Sequence, residues 1–120
     1  MNKIYHLFSC STCQRIIIEL DLHNRGFEFQ DIKTNKITAQ QLDEMAEKSG
    51  SFEAIFSRRA LKYKSMELKD KILSESEIKK LILEEYTFLK RPVIIIGKEQ
   101  FVGNSKKVIE AASKLLSGDK

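Results

Sequence analysis

The chain contains no tryptophan, a single proline and only two cysteines among its 120 residues. Two cysteines are too few for the disulfide framework of a small secreted domain. None is needed, because at this length about two thirds of the unfolded surface can be buried. The longest aliphatic run, Val93-Ile94-Ile95-Ile96, stops after four residues, whereas a membrane-spanning helix requires ~20. The opening residues, Met1-Asn2-Lys3-Ile4-Tyr5-His6, lack the apolar stretch and small-residue cleavage site of a secretory leader. Repeats, low-complexity stretches and Pro/Gly/Ser-rich linkers are also missing. The expectation is one cytoplasmic domain over residues 1–120, without a membrane partner and with its thiols reduced at rest.

An excess of one charge sign is nearly missing as well. Lys and Arg number 21 against 17 Asp and Glu, for a net charge of +4. The signs are interleaved, as in Glu44, Glu47 and Lys48, then Glu67, Lys69, Asp70 and Lys71, then Glu77, Lys79 and Lys80. Such mixing marks solvated helix surface rather than a phosphate track. No direct nucleic-acid partner is expected.

What is present is an alternation of short apolar runs and helical stripes. Lys3 to Phe8 predicts a strand. Ile16, Ile17 and Leu20 predict a helix that Gly26 closes, and Phe27 to Ile32 predicts a second strand with one buried face. A connection of that length makes the two strands parallel. Thr38 with Gln41 and Ser74 with Glu77 have the form of capping boxes, ahead of Leu42, Met45 and Ala46 and of Ile78, Leu81 and Ile82. Ser49-Gly50-Ser51 breaks the first of these helices, and Phe52, Ile55 and Phe56 start another. Pro92 opens a strand over Val93–Ile96, because proline cannot donate to a ladder. A turn at 97–99, a partner strand from Gln100 to Val102 and a helix capped by Ser105 follow. The order β, α, β, several helices, β-hairpin, α predicts an α/β protein.

Cys10 and Cys13 bracket the handover from the first strand to the first helix. There the helical N–H groups are unsatisfied and the macrodipole is positive, which lowers the pKa of a thiol. Cys10, nearest the cap, is the candidate nucleophile. Cys13, in the first turn and nearer the core, is placed to attack a mixed disulfide on Cys10. Ser11 and Thr12 are small, and their N–H groups offer a seat for an oxyanion. Two other uses of the pair compete. A zinc site would need two more ligands, and His6 and His23 are badly spaced for it. Two inert core cysteines are the second alternative.

The stretch Ser9-Cys10-Ser11-Thr12-Cys13-Gln14-Arg15 is followed by Lys33-Thr34 and by Arg58-Arg59 ahead of Lys62-Tyr63-Lys64. Leu89-Lys90-Arg91-Pro92-Val93-Ile94 and Phe101-Val102-Gly103 complete the set. Together they resemble the arsenate reductase (ArsC) family, which also contains the Spx transcriptional regulators, from about residue 3 to 116. The resemblance implies a thioredoxin-like (glutaredoxin-like) fold with a mixed sheet of about four strands and a helical insertion over about 36–88. It implies that Cys10 is the catalytic thiol, and that Pro92 is the cis proline beside it. Arg91 is implied to bind an oxyanion or to lower the thiol pKa. A second active-site arginine is Arg59 by its spacing to Tyr63, with Arg58 as the alternative. The implied substrate is a small oxyanion or a disulfide, turned over by a monomer without bound cofactor. Glutathione, glutaredoxin or thioredoxin would restore the thiols.

Two departures qualify the resemblance. Val102-Gly103-Asn104-Ser105 carries no arginine where glutathione-dependent arsenate reductases have a third, so arsenate itself is not implied. Cys13 stands where those enzymes usually lack a cysteine, which is closer to Spx. The alternative is therefore a redox-sensing regulator that binds RNA polymerase, with Gly50 and Ser51 as a contact segment. The short tail, Ser117-Gly118-Asp119-Lys120, speaks for the enzyme.

Overall fold

The computed structural model describes residues 1–118; Asp119 and Lys120, the end of the tail, lie outside the described residues. In chain order the elements are β1 (Asn2–His6), α1 (Ser11–Glu19), β2 (Glu28–Asp31), α2 (Ala39–Ser49), α3 (Leu61–Ser65), α4 (Glu75–Glu84), β3 (Val93–Ile96), β4 (Glu99–Val102) and α5 (Lys106–Leu116). Short 3-10 turns fall at Leu22–Asn24, Glu53–Ile55, Leu68–Asp70 and Tyr86–Phe88. The chain divides into two compact units, one of Met1–Asn35 with the chain from Arg91 on, the other of Lys36–Lys90.

The first unit holds the whole sheet, in the order β2-β1-β3-β4. β1 pairs with β2 in parallel, as expected for strands joined through a helix, and with β3 antiparallel; β3 and β4 form the antiparallel hairpin. The register sets Phe29, Ile4, Ile94 and Phe101 in one row across all four strands. That row joins Ile16 and Ile17 of α1, Leu20 just after it, and Ile109 and Ala112 of α5 in a single apolar cluster. Alternation along a strand sends Lys3, Tyr5, Val93 and Ile95 to the opposite face, where they are buried too. Lys3 is buried because Glu28, its register neighbour, takes its ammonium at 2.9 Å and the Tyr5 ring lies 4.6 Å from it.

Several sequence expectations need correction. The first helix does not run to Gly26: α1 ends at Glu19 with Leu20 as its cap, and Asp21 turns into the left-handed region at φ 54°. Gly26, at φ 71°, instead follows the 3-10 turn that holds His23. β2 is not buried on one face only, since Phe29 packs on the apolar cluster while Gln30 is 4% exposed. The hairpin loop is also tighter than predicted, because β4 begins at Glu99.

The second unit is helical. Both capping boxes form: Thr38 Oγ1 accepts from the Gln41 N–H at 3.0 Å, and Ser74 Oγ from the Glu77 N–H at 3.2 Å. α2 stops at Gly50, whose φ of 97° suits glycine alone. The short helix expected at Phe52 is a 3-10 turn, held by the Glu75 carboxylate on the N–H groups of Phe52 (2.6 Å) and Glu53 (3.1 Å). Leu42, Met45, Ile55, Phe56, Ile78, Ile82 and Phe88 are buried. Among the described residues, no helix is long and apolar enough to cross a membrane.

Candidate active site

β1 ends at His6, and the chain turns through Leu7, Phe8 and Ser9 into α1. The turn closes where the Cys10 N–H donates to the Leu7 carbonyl at 3.1 Å. Cys10 is the N-cap residue of α1, with extended backbone at φ −89° and ψ 110° and no side-chain cap bond. The helix forms behind it because Cys13, Ile16 and Ile17 share one face and are all buried. No acidic residue stands in its first turn to oppose a negative charge at Cys10.

The two thiols differ sharply. Cys10 is partly exposed, and its partial burial alone would push its pKa up. The N–H of Cys13, the Cys13 thiol, the N–H of Thr12 and the Arg91 guanidinium outweigh that effect and hold Cys10 below the ordinary thiol range. Cys13 is 0% exposed. Burial pushes its thiol up to about 12; the Leu7 N–H and Arg91 pull the other way, while the neighbouring Cys10 adds to the rise. Both cysteines are free thiols.

Arg91 and Pro92 lead into β3 through a cis peptide bond. Pro92 is buried, and its carbonyl accepts the Gly103 N–H at 2.9 Å. The segment after β4, where no arginine stands, therefore runs beside Pro92. Arg91 Nη1 is buried and has no hydrogen-bond partner among the described residues. A donor left so is costly unless something else meets it.

The structure thus gathers Cys10, Cys13, Thr12, Arg91 and Pro92 in the first unit. Ser11 is the exposed first residue of α1. Arg58 and Arg59 belong to the second unit, where both are exposed. Arg58 is committed to Glu53 at 3.2 Å, over the Phe56 ring. The Arg59 guanidinium makes no ion pair among the described residues. His6 is buried in β1 and its ring meets Phe29 edge-on, whereas His23 stacks on the same ring at 4.6 Å. Among the described residues, no three His, Cys, Asp or Glu are grouped to hold a metal ion.

Two further residues shape the loop. Gln14 Nε2 donates to the Phe8 carbonyl at 3.2 Å and to the Leu7 carbonyl at 3.4 Å. Asp31 Oδ2 accepts the Phe8 N–H at 3.3 Å, while its Oδ1 accepts the Lys33 N–H at 3.0 Å. Neither role follows from periodicity or motif. Gln14 reaches backwards out of its helix, and Asp31 meets the loop only because β2 pairs with β1.

The model of the ArsC family matches residues 5–112. The chain belongs to the ArsC family. Among curated relatives, the uncharacterized protein YusI of Bacillus subtilis is 28% identical over 97 residues, covering 78% of this chain and 82% of YusI. The global transcriptional regulator Spx of Streptococcus agalactiae is 27% identical over 104 residues, covering 86% and 76% of the two chains. The crystal structure of a possible arsenate reductase from Streptococcus mutans UA159 superposes with a TM-score of 0.73 at 28% identity, over 93% of this chain and 97% of that one. The expected thioredoxin-like class, with its mixed four-stranded sheet, is borne out for this ArsC-family chain.

Proposed function

We propose that this ArsC-family protein is a thiol-based oxidoreductase, with Cys10 as nucleophile and Cys13 as resolving thiol. The observation that carries the reading is the placing of a partly exposed Cys10 at the open end of α1 with a fully buried Cys13 in the first turn behind it. This placing displaces the two thiols in opposite directions, Cys10 downward and Cys13 up to about 12. With a disulfide substrate, the Cys10 thiolate attacks one sulfur, forms a mixed disulfide and expels the other half as a thiolate. Cys10 is then neutral, which removes its share of the upward push on Cys13. Cys13 loses its proton to the departing thiolate and attacks the Cys10 sulfur. The second half of the substrate leaves as a thiolate, which takes its proton from solvent, and the protein is left with a Cys10–Cys13 disulfide. Two electrons have passed to the substrate, and an external thiol such as glutathione, glutaredoxin or thioredoxin returns them.

For a small oxyanion, Arg91 and the N–H groups of Ser11 and Thr12 would carry the charge while Cys10 attacks. The unpartnered Arg91 Nη1 supports this. The experiment compares turnover of disulfide and oxyanion substrates in Cys10→Ser and Cys13→Ser. Cys10→Ser loses all turnover. Cys13→Ser still makes the first attack and accumulates the mixed disulfide, read as an added mass. Unchanged turnover in Cys10→Ser rules the reading out.

A second reading is a redox-sensing regulator that binds RNA polymerase, favoured by the likeness to Spx over 86% of the chain. Closing the Cys10–Cys13 bond would remove the thiolate facing Arg91 and change the surface there.

A further inference from the structure

Helix N-caps are ordinarily Ser, Thr, Asp or Asn, whose oxygen accepts an N–H of the first turn. Here the cap is Cys10, and its side chain makes no cap bond. The first-turn N–H groups of Thr12 and Cys13 favour the Cys10 thiolate without a formed cap bond, and they act strongly only while the sulfur is ionised. That attraction weakens when the thiol takes up a proton, and it is lost when the sulfur forms a mixed disulfide. Something independent of the sulfur must hold the loop through the catalytic cycle.

We infer that Gln14 is a positioning residue for the reactive thiol: its carboxamide, tied back to Leu7 and Phe8, keeps the Cys10 sulfur over the open end of α1. Gln14 lies one turn into the helix, and its own N–H makes the first helical bond, to the Cys10 carbonyl at 3.1 Å. Its side chain turns back past the helix end, and the two hydrogens on Nε2 serve the two carbonyls of the preceding turn. The Leu7 carbonyl accepts from both Gln14 Nε2 and the Cys10 N–H, so the same atom anchors the helix and the cap residue. Asp31 holds the other side of this turn through the Phe8 N–H. Gln14 carries no charge, so its tether persists whatever the state of the sulfur.

This deepens the oxidoreductase reading and rests on it. The test uses the full chain and Gln14→Met, which keeps the reach of the side chain and removes its donors. Cys10 is titrated through the pH dependence of its alkylation by iodoacetamide, followed by mass, with hydrogen exchange of residues 9–13 at a pH where Cys10 is protonated. In the parent protein the alkylation midpoint lies below the ~8.5 of a free thiol. In Gln14→Met it rises by about half a pH unit or more, the scale of one neutral hydrogen bond. Exchange in residues 9–13 quickens, and the thermal midpoint moves little. An unchanged midpoint and unchanged exchange overturn the inference while leaving the nucleophile intact. A collapse of thermal stability overturns it in favour of a purely structural role. A parent midpoint at the free-thiol value removes the oxidoreductase reading itself.

Discussion

At Cys10 and Cys13 one functional group meets two surroundings. The cap position exposes a sulfur to converging N–H groups and a cation; the first turn buries another in the apolar face of α1. Arg91 favours the thiolate at both, so its removal reads out directly. In Arg91→Gln the alkylation midpoint of Cys10 moves upward by about half to one pH unit, because a charged partner close to the sulfur is lost. The sign follows from thiolate population. Between the two midpoints the variant reacts more slowly than the parent, and above both the rates converge. An alkylation profile from pH 5 to 10 checks it, and identical profiles would refute the role of Arg91. Part of this was legible in the residues: a thiol at a strand-to-helix handover is activated wherever the fold. Cys13 was expected nearer the core, but its full burial and the lack of a partner for Arg91 Nη1 among the described residues were not legible, because both depend on groups far away in sequence.

Elements divide in the same way. The capping boxes at Thr38 and Ser74 could be read because both partners lie within one helical turn. The hairpin could be read because Pro92 and Gly97 punctuate it. The end of α1 could not. Arg25 donates from Nε to the Leu20 carbonyl at 2.9 Å and from Nη1 to the Leu116 carbonyl at 3.1 Å. One guanidinium thus meets the negative ends of α1 and α5. Arg25→Met, which keeps the aliphatic stem, is expected to cost about 1–2 kcal/mol in urea unfolding, the scale of charge-assisted hydrogen bonds at a helix terminus. Arg15→Met, on the exposed face of α1, serves as the control and stays within about 0.5 kcal/mol. Equal effects of the two substitutions would remove the capping role.

For the whole molecule the open choice is between an enzyme that passes electrons on and a regulator that reports its own redox state. Purified RNA polymerase, presented with the reduced protein and with protein oxidised at Cys10 and Cys13, separates them. The regulator reading expects binding that differs between the two states; no binding in either state removes it. Within a net charge of only +4, Arg91 has a local role at the thiols, where it favours negative charge. By itself the sequence determined the order of strands and main helices, the parallel pairing of β1 with β2, the N-caps at Thr38, Ser74 and Ser105 and the place of Cys10 at the head of α1. These depend on signals three or four residues apart or on the alternation of a strand. Tertiary structure alone decided that Cys13 is fully buried with its thiol pushed up to about 12, that Lys3 and Gln30 are buried, and that Gln14 and Asp31 grip the loop. Burial and hydrogen bonding sum over neighbours that folding brings together from distant parts of the chain, and no local pattern records them.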